Sequence, residues 1–134
     1  MDYKVAYNNW LSNPKLNAEG IEELTSIKDN EKEMEYRFGA DLKFGTAGMR
    51  GVMGAGSNRL NCYTVRRAAQ GMAAWLSGTD LPQKAAIGYD SRHNSQLFAE
   101  VCAVAFAEKG IHTYLYDRLA PTPMLSFAVR YLKT

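Results

Sequence analysis

The residues best suited to bind an anion lie in a glycine-rich segment, Phe44 to Gly51. Glycines let backbone amides approach an anion closely, while Thr46 offers a hydroxyl and Arg50 offers a forked cation. The segment is not a Walker A loop, because no Gly-Lys-Ser/Thr follows it. The nearby Gly54-x-Gly56 is not a dinucleotide fingerprint either, because Arg59 stands where the third glycine belongs. An anion-binding loop and a plain hairpin both remain open interpretations.

Two further loops could meet a ligand, since each follows a predicted strand and precedes a predicted helix. The loop at residues 88–94 carries Arg92 and His93, whose donors suit a phosphate. The alternative is that its polar side chains only make turn and capping bonds and that Arg92 is solvated. The loop at residues 117–123 is stiffened by two prolines and is as easily a rigid connector.

The first 40 residues are predicted to be helical. Apolar residues at helical spacing indicate a helix that stops at Asn13-Pro14 and a second one from about Asn17 to Ile27. A third is capped by Asp29 or Asn30 and ends near Gly39. Its charge run at residues 31–35 indicates a solvated face.

The remainder alternates between strands and helices. Dense glycine over residues 42–58 indicates loops and a hairpin. A helix capped by Asn61 follows, with an inward stripe predicted at Val65, Ala68, Ala69, Met72 and Leu76. The later predicted elements are a strand at residues 84–89, a helix at 95–109, a strand at 112–116 and a helix opened by Thr122-Pro123, with Thr122 as its cap. This order is typical of an α/β fold with a parallel strand pair and helices on its faces.

Composition excludes several classes of function. The 134 residues are 46% hydrophobic and 22% charged, as in one globular domain, and the net charge of +2 is too small for a nucleic-acid binder. No apolar run suits a signal peptide or membrane span. Cys62 and Cys102 form no Cys-x-x-Cys pair, which favours reduced thiols in a cytoplasmic protein. The two histidines, His93 and His112, are too few for a metal centre.

Several of these segments together resemble one family. Residues 44–51 are similar to the Phe-Gly-Thr-Ser/Ala/Gly-Gly-x-Arg-Gly motif of the α-D-phosphohexomutases, the superfamily of phosphoglucomutase and phosphomannomutase. Within it, the bacterial and phosphopentomutase-like phosphoglucomutase branch is similar to residues 52–59, 63–68, 88–95 and 121–123. The segments occur in the family's order over nearly the whole chain.

The resemblance implies a fold and an activity. Residues 41–134 would form a three-layer α/β/α domain I with a mixed, partly parallel sheet, preceded by a helical segment at 1–40. The parent enzyme would interconvert glucose 1-phosphate and glucose 6-phosphate through a phosphoserine and a hexose bisphosphate. Its magnesium would be held by that phosphoserine and by an aspartate-rich loop of another domain. Thr46 and Arg50 would line the cleft near the phosphoserine, and Arg92 and His93 would lie in the same cleft wall.

One departure from the family pattern limits the expected activity. The family's Thr-Ala-Ser-His-Asn-Pro motif should come after Thr134, and none of Ser91, Ser95 and Ser126 is followed by His-Asn-Pro. We therefore expect a truncated domain with an incomplete sheet, no catalytic residue, no bound metal and no activity of its own. Hexose phosphates and hexose bisphosphate would be partners of the parent, and nucleic acid and membranes would not be. Its exposed sheet edge would promote self-association.

Two other interpretations concern different classes of function. A non-catalytic sugar-phosphate-binding or regulatory module on the same scaffold remains the alternative. Half of a nucleotide-binding oxidoreductase is disfavoured, because the glycine fingerprint is missing.

Overall fold

The computed structural model describes residues 2–45 and 48–134. The chain forms two compact units, Met1–Thr64 and Val65–Thr134, and each is described by itself. Within the described residues, no helix combines the length and the apolar character needed to cross a membrane.

The first unit begins with three short helices, α1 (Tyr3–Leu11), α2 (Ala18–Ser26) and α3 (Glu31–Phe38). Each is capped by a side chain that accepts from free amides of the first turn: Asp2 for α1, Asn17 for α2 and Asn30 for α3. The predicted helices are confirmed, and Asn30 rather than Asp29 is the cap of the third.

The core of the first unit is built on Phe38 and Leu24, which are fully buried. The rings of Tyr7 and Trp10 meet Phe38 edge-on, with centroids 5.7 and 5.9 Å away. The Tyr7 hydroxyl donates to the Leu24 carbonyl at 2.9 Å, which satisfies a polar group inside an apolar cluster. The three helices therefore share one core.

The glycine-rich segment contains the predicted hairpin. Strands β1 (Phe44–Gly45) and β2 (Gly48–Met49) pair antiparallel, with Phe44 opposite Met49 and Gly45 opposite Gly48. Thr46, in the connection between these strands, lies outside the described residues.

The second unit contains the alternating elements. Helix α4 (Cys62–Ser77) begins at the end of the first unit and is followed by β3 (Lys84–Ile87), α5 (Ser95–Ala107), β4 (His112–Leu115) and α6 (Thr122–Leu132). Strands β3 and β4 are parallel and in continuous register from Lys84–His112 to Ile87–Leu115. The α/β class and the parallel pair are confirmed, and the described strand pairs include both orientations.

Two local predictions in this part of the chain are wrong. Met72 is 48% exposed, and Ala73 is fully buried in its place. The buried stripe of α4 follows a spacing of four through Val65, Ala69 and Ala73, and the small alanines permit close packing at that face. Thr122 is not the cap of α6 but its first residue, because Pro121 holds the cap position in an extended conformation.

Candidate functional site

Arg50 immediately follows β2 and is exposed. Within the described residues it has no ion-pair or hydrogen-bond partner, so its guanidinium is available to an anion. The hairpin thus presents an uncommitted cation, as the anion-binding interpretation requires.

The two ends of the hairpin are tied to the segment that follows it. The Leu42 amide donates to the Ser57 carbonyl at 2.9 Å, and the Leu60 amide donates to the Val52 carbonyl at 2.8 Å. Leu42 also packs so closely on Gly51 that an added Cβ there would lie 2.7 Å from the leucine Cδ1. We call these two hydrogen bonds the hairpin base.

Four charged side chains form an ion-pair cluster beside this segment: Glu23, Glu33, Arg37 and Arg59. Arg37 donates to Glu23 through one terminal nitrogen and to Glu33 through Nε, the latter at 2.7 Å. Arg59 donates to the same Glu33 oxygen at 2.8 Å. Glu33 is therefore shared by two guanidinium groups.

Hydrogen bonds keep this partly buried ion-pair cluster charged. Arg59 is only 3% exposed, and its guanidinium lies 4.4 Å from the centroid of the Tyr36 ring. The hydrogen bond from Arg37, followed by that from Arg59, holds the pKa of the Glu33 carboxyl below its ordinary value. Glu33 is thereby kept charged next to a buried cation.

The sequence interpretation missed this cluster. The charge run at residues 31–35 was predicted to be solvated, which holds for Glu31, Lys32 and Glu35 but is wrong for Glu33. The available signal was the i, i+4 spacing of Glu33 and Arg37, which favours an ion pair on one helix face.

The loop with Arg92 and His93 is organised by Asp90. One carboxylate oxygen of Asp90 accepts the Arg92 amide at 3.1 Å and the Ser95 hydroxyl at 2.7 Å. The other oxygen lies 3.5 Å from Arg92 Nε. Asp90 therefore makes the turn bonds of the alternative interpretation, but Asn94, the N-cap of α5, makes no side-chain capping bond to the described residues. Arg92 remains 56% exposed and His93 is exposed.

The loop at residues 117–123 has the features of a rigid connector. Its Ala120 is buried, and the Ala120 amide donates to the Tyr89 carbonyl at 3.0 Å. Arg118 pairs with its neighbour Asp117, and its hydrogen bond lowers the pKa of that carboxyl. Ala120 thus joins this loop to the segment that follows β3 within the second unit.

An open pocket in the second unit does not suit a phosphate. Its volume is about 230 Å³ and its lining is aliphatic and aromatic, from Ala86, Tyr114, Leu115, Tyr116, Phe127, Ala128, Tyr131 and Leu132. A charged ligand would lose its hydration there without gaining a counter-charge.

The predicted site residues fall in both units. Arg50 belongs to the first unit, whereas Arg92 and His93 are neighbours in the second. The part of the chain that the structure describes holds no group of three or more histidine, cysteine or carboxylate side chains placed to bind a metal ion. Arg50, Arg92 and His93 offer guanidinium and imidazole groups and not the oxygen ligands that Mg²⁺ prefers, so these three residues do not fit a magnesium site.

Comparison with known proteins identifies the family. Residues 41–134 match the model of the phosphoglucomutase/phosphomannomutase alpha/beta/alpha domain I. A phosphoglucomutase of Staphylococcus haemolyticus is 47% identical over 100 residues, which are 75% of this chain and 18% of that protein. A probable phosphoribomutase of Schizosaccharomyces pombe is 46% identical over 97 residues, 69% of this chain and 16% of that protein.

A phosphopentomutase of Mus musculus is 36% identical over 133 residues, 92% of this chain and 21% of that protein. The chain thus spans about a fifth of the length of these relatives. No solved structure matches the chain significantly. The match over residues 41–134 shows that the chain belongs to the phosphoglucomutase/phosphomannomutase family, in its alpha/beta/alpha domain I.

Proposed function

We propose that this chain is the first domain of a phosphoglucomutase-type enzyme and that its hairpin contacts the phosphate of a sugar phosphate. The observation that carries the proposal is the exposed Arg50, which has no partner among the described residues and follows a hairpin of the family's domain I. The whole enzyme would interconvert glucose 1-phosphate and glucose 6-phosphate through a phosphoserine and a bisphosphate intermediate.

In this proposal, the chain binds the phosphate and stabilises the negative charge of its oxygens. Phosphoryl transfer needs little covalent work from the protein and much positioning of charge. The Arg50 fork would hold two phosphoryl oxygens, and Thr46 would add a hydroxyl donor. Arg92 and His93 are proposed separately, as donors that a phosphate could contact at their own loop in the second unit.

The sugar is proposed only as a class. The relatives are named for glucose, ribose and pentose. Glucose 1-phosphate is therefore the first ligand to test, with ribose 1-phosphate beside it. A cytoplasmic location is proposed because Cys62 and Cys102 are free.

We propose that the isolated chain does not catalyse the mutase reaction. Its sequence contains no Ser-His-Asn-Pro, so no phosphoserine of the family type can form. Magnesium would balance phosphoryl charge in the longer protein, held there by the phosphoserine and an aspartate-rich loop. Turnover of glucose 1-phosphate with bisphosphate and magnesium, within tenfold of about 10 per second, would contradict this proposal.

The binding proposal is tested by titrating the chain with glucose 1-phosphate and following its amide NMR signals. We expect saturable binding that Arg50→Ala abolishes. Arg130→Ala, which removes another exposed arginine from α6, is the matched control and should bind as the wild type does. Equal binding by both variants would show that Arg50 does not contact the ligand.

The alternative function is a non-catalytic sugar-phosphate-binding module. The exposed Arg50, which has no partner among the described residues, favours this function as well. The two functions differ in the affinity for a sugar phosphate that each predicts. A module that works alone should bind at about micromolar concentration, near −8 kcal/mol. One domain of a multidomain site should bind at about millimolar concentration, because it makes only part of the contacts.

A further inference from the structure

The glycines after the hairpin are packed against the ion-pair cluster. A Cβ on Gly54 would lie 2.5 Å from a Glu23 carboxylate oxygen, and one on Gly56 would lie 3.0 Å from both Cβ and O of Arg37. Both glycines have positive φ, +131° and +137°. The backbone of residues 54–56 therefore leaves room for Glu23 and Arg37. This packing explains the two glycines, so no nucleotide-binding role is needed to explain them.

The same segment is hydrogen-bonded to the cluster through its backbone. Glu23 accepts the Ala55 amide at 2.9 Å, and Arg37 donates to the Ala55 carbonyl at 3.2 Å. The Arg37 carbonyl accepts the Asn58 amide at 2.9 Å. These contacts fix residues on both sides of Ser57. The Ser57 carbonyl accepts the hydrogen bond that the Leu42 amide donates in the hairpin base.

A continuous path thus runs from the ion-pair cluster to the hairpin. Glu33 pairs with Arg37 and Arg59, and Arg37 holds residues 54–58, which include the Ser57 carbonyl of the hairpin base. Leu60, the donor of the other hydrogen bond of the hairpin base, directly follows Arg59. Arg59 pairs with Glu33 through one nitrogen, and its buried Nε has no partner within the described residues. Loss of the Glu33 charge would therefore leave the buried Arg59 guanidinium without the carboxylate that it pairs with.

We propose that Glu33 and Arg37 are positioning residues for Arg50, acting through residues 54–58 and the hairpin base. The proposal rests on the proposed function, in which Arg50 binds phosphoryl oxygens. Neither residue needs to touch the ligand, because the cluster acts by fixing where the hairpin is held.

The test compares Glu33→Gln with Glu31→Gln. Both residues lie in the first turn of α3, and each substitution removes one negative charge. Glu33→Gln removes two ion pairs, with Arg37 and Arg59, whereas Glu31→Gln removes one, with Lys4. Glu31 pairs with the exposed Lys4, so its loss should leave the hairpin unchanged. Three quantities are measured below the melting temperature: hydrogen exchange of the Leu42 and Leu60 amides, the Arg50 Nε–H signal, and the affinity for glucose 1-phosphate.

We expect Glu33→Gln to speed exchange of both amides and to weaken glucose 1-phosphate binding, each by about tenfold. The Arg50 Nε–H signal should then shift less on titration than in the wild type. Glu31→Gln should change both quantities less than about twofold. If Glu33→Gln does not fold, Arg37→Lys replaces it, because an ammonium keeps the charge but cannot donate to Glu23, Glu33 and Ala55 together.

Two results would overturn the proposal. Exchange equal to that of Glu31→Gln would show that the cluster does not hold the hairpin base. Faster exchange with unchanged affinity would show that the hairpin base does not position Arg50. If the wild type does not bind glucose 1-phosphate, the proposed function fails, while the exchange rates still decide whether the cluster holds the hairpin.

Discussion

Gly56→Ala tests most directly how the first unit is held together. Gly56 has φ of +137°, a backbone conformation that residues other than glycine rarely adopt. Its Cβ would meet Arg37 Cβ and the Arg37 carbonyl oxygen at 3.0 Å, so backbone as well as side chain must move. The same Arg37 carbonyl accepts the Asn58 amide, and that hydrogen bond would be stretched by any such movement.

The expected loss of stability follows from these two effects. A non-glycine residue held in a sparsely populated backbone conformation costs about 1–3 kcal/mol. Overpacking by one methyl group costs a similar amount, about 1–3 kcal/mol, and the two partly relieve each other when the segment shifts. We expect a loss of about 2–4 kcal/mol. For a unit of this size, even 2 kcal/mol lowers the melting temperature by about 8–16 °C.

The measurement is urea and thermal unfolding followed by tryptophan fluorescence. Trp10 packs against Phe38 and Tyr63 in the first unit, so a Trp75→Phe background makes its emission report on that unit. Gly71→Ala is the matched control, because Gly71 lies inside α4 with no atom within 4 Å of an added Cβ. The free energy of unfolding of the control should rise by about 0.5–1 kcal/mol, because alanine favours a helix interior. Unfolding of the control is followed by circular dichroism.

The two identical substitutions are thus expected to change stability in opposite directions. A Gly56→Ala variant within about 0.5 kcal/mol of the wild type would refute the reasoning. It would mean that residues 54–58 move away from Arg37 at little cost. The ion-pair cluster would then not fix the position of the hairpin base.

Three further results are expected. The hydrogen bond from Arg37 is the first cause that lowers the pKa of Glu33, so the contribution of Glu33 to stability is present above the ordinary carboxyl pKa and is lost as pH falls through the lowered value. Glu33→Gln should therefore destabilise the chain in urea unfolding at pH 7, and by progressively less as the pH is lowered below the ordinary carboxyl pKa; a loss that does not change with pH would refute this. Burial raises the pKa of the Cys102 thiol, so iodoacetamide should label it more slowly in the folded chain than in urea; equal rates would contradict this. Phe127 is 60% and Tyr131 73% exposed on α6, so light scattering should show self-association that serine at both positions reduces, and a monomer at every concentration would count against it.

Local signals in the sequence were sufficient to predict most of the elements. The second helix begins next to Asn17 as predicted, Asn30 is one of the two predicted caps of the third, and the strand at residues 112–115 pairs in parallel with the strand at 84–87. These features depend on neighbours a few residues away or on a simple period. The error at Met72 arose because periodicity allows two adjacent stripes, and only packing selects the narrower alanine face.

The site could be predicted only in part, because its supporting contacts join distant residues. Arg50 was found from the glycine-rich motif around it. By contrast, the contact of Arg59 with Glu33 spans 26 residues, and that of Ala55 with Glu23 spans 32. Neither contact has a local sequence signal. Gly54 and Gly56 belong to the glycine-dense stretch predicted to form loops and a hairpin, and the sequence did not indicate that each faces a residue of the ion-pair cluster.

The charges of the first unit distinguish two effects on phosphate binding: the positioning of Arg50 and the net charge of the protein. The ion-pair cluster holds two carboxylates and two guanidinium groups, so it is neutral and does not itself attract an anion. Glu33→Gln removes a negative charge, and long-range electrostatics alone would then strengthen the binding of a phosphate. Positioning predicts the opposite, because the hairpin that displays Arg50 loses its support. Glu31→Gln carries the same change of charge without touching the cluster, so weaker binding by Glu33→Gln alone cannot come from net charge.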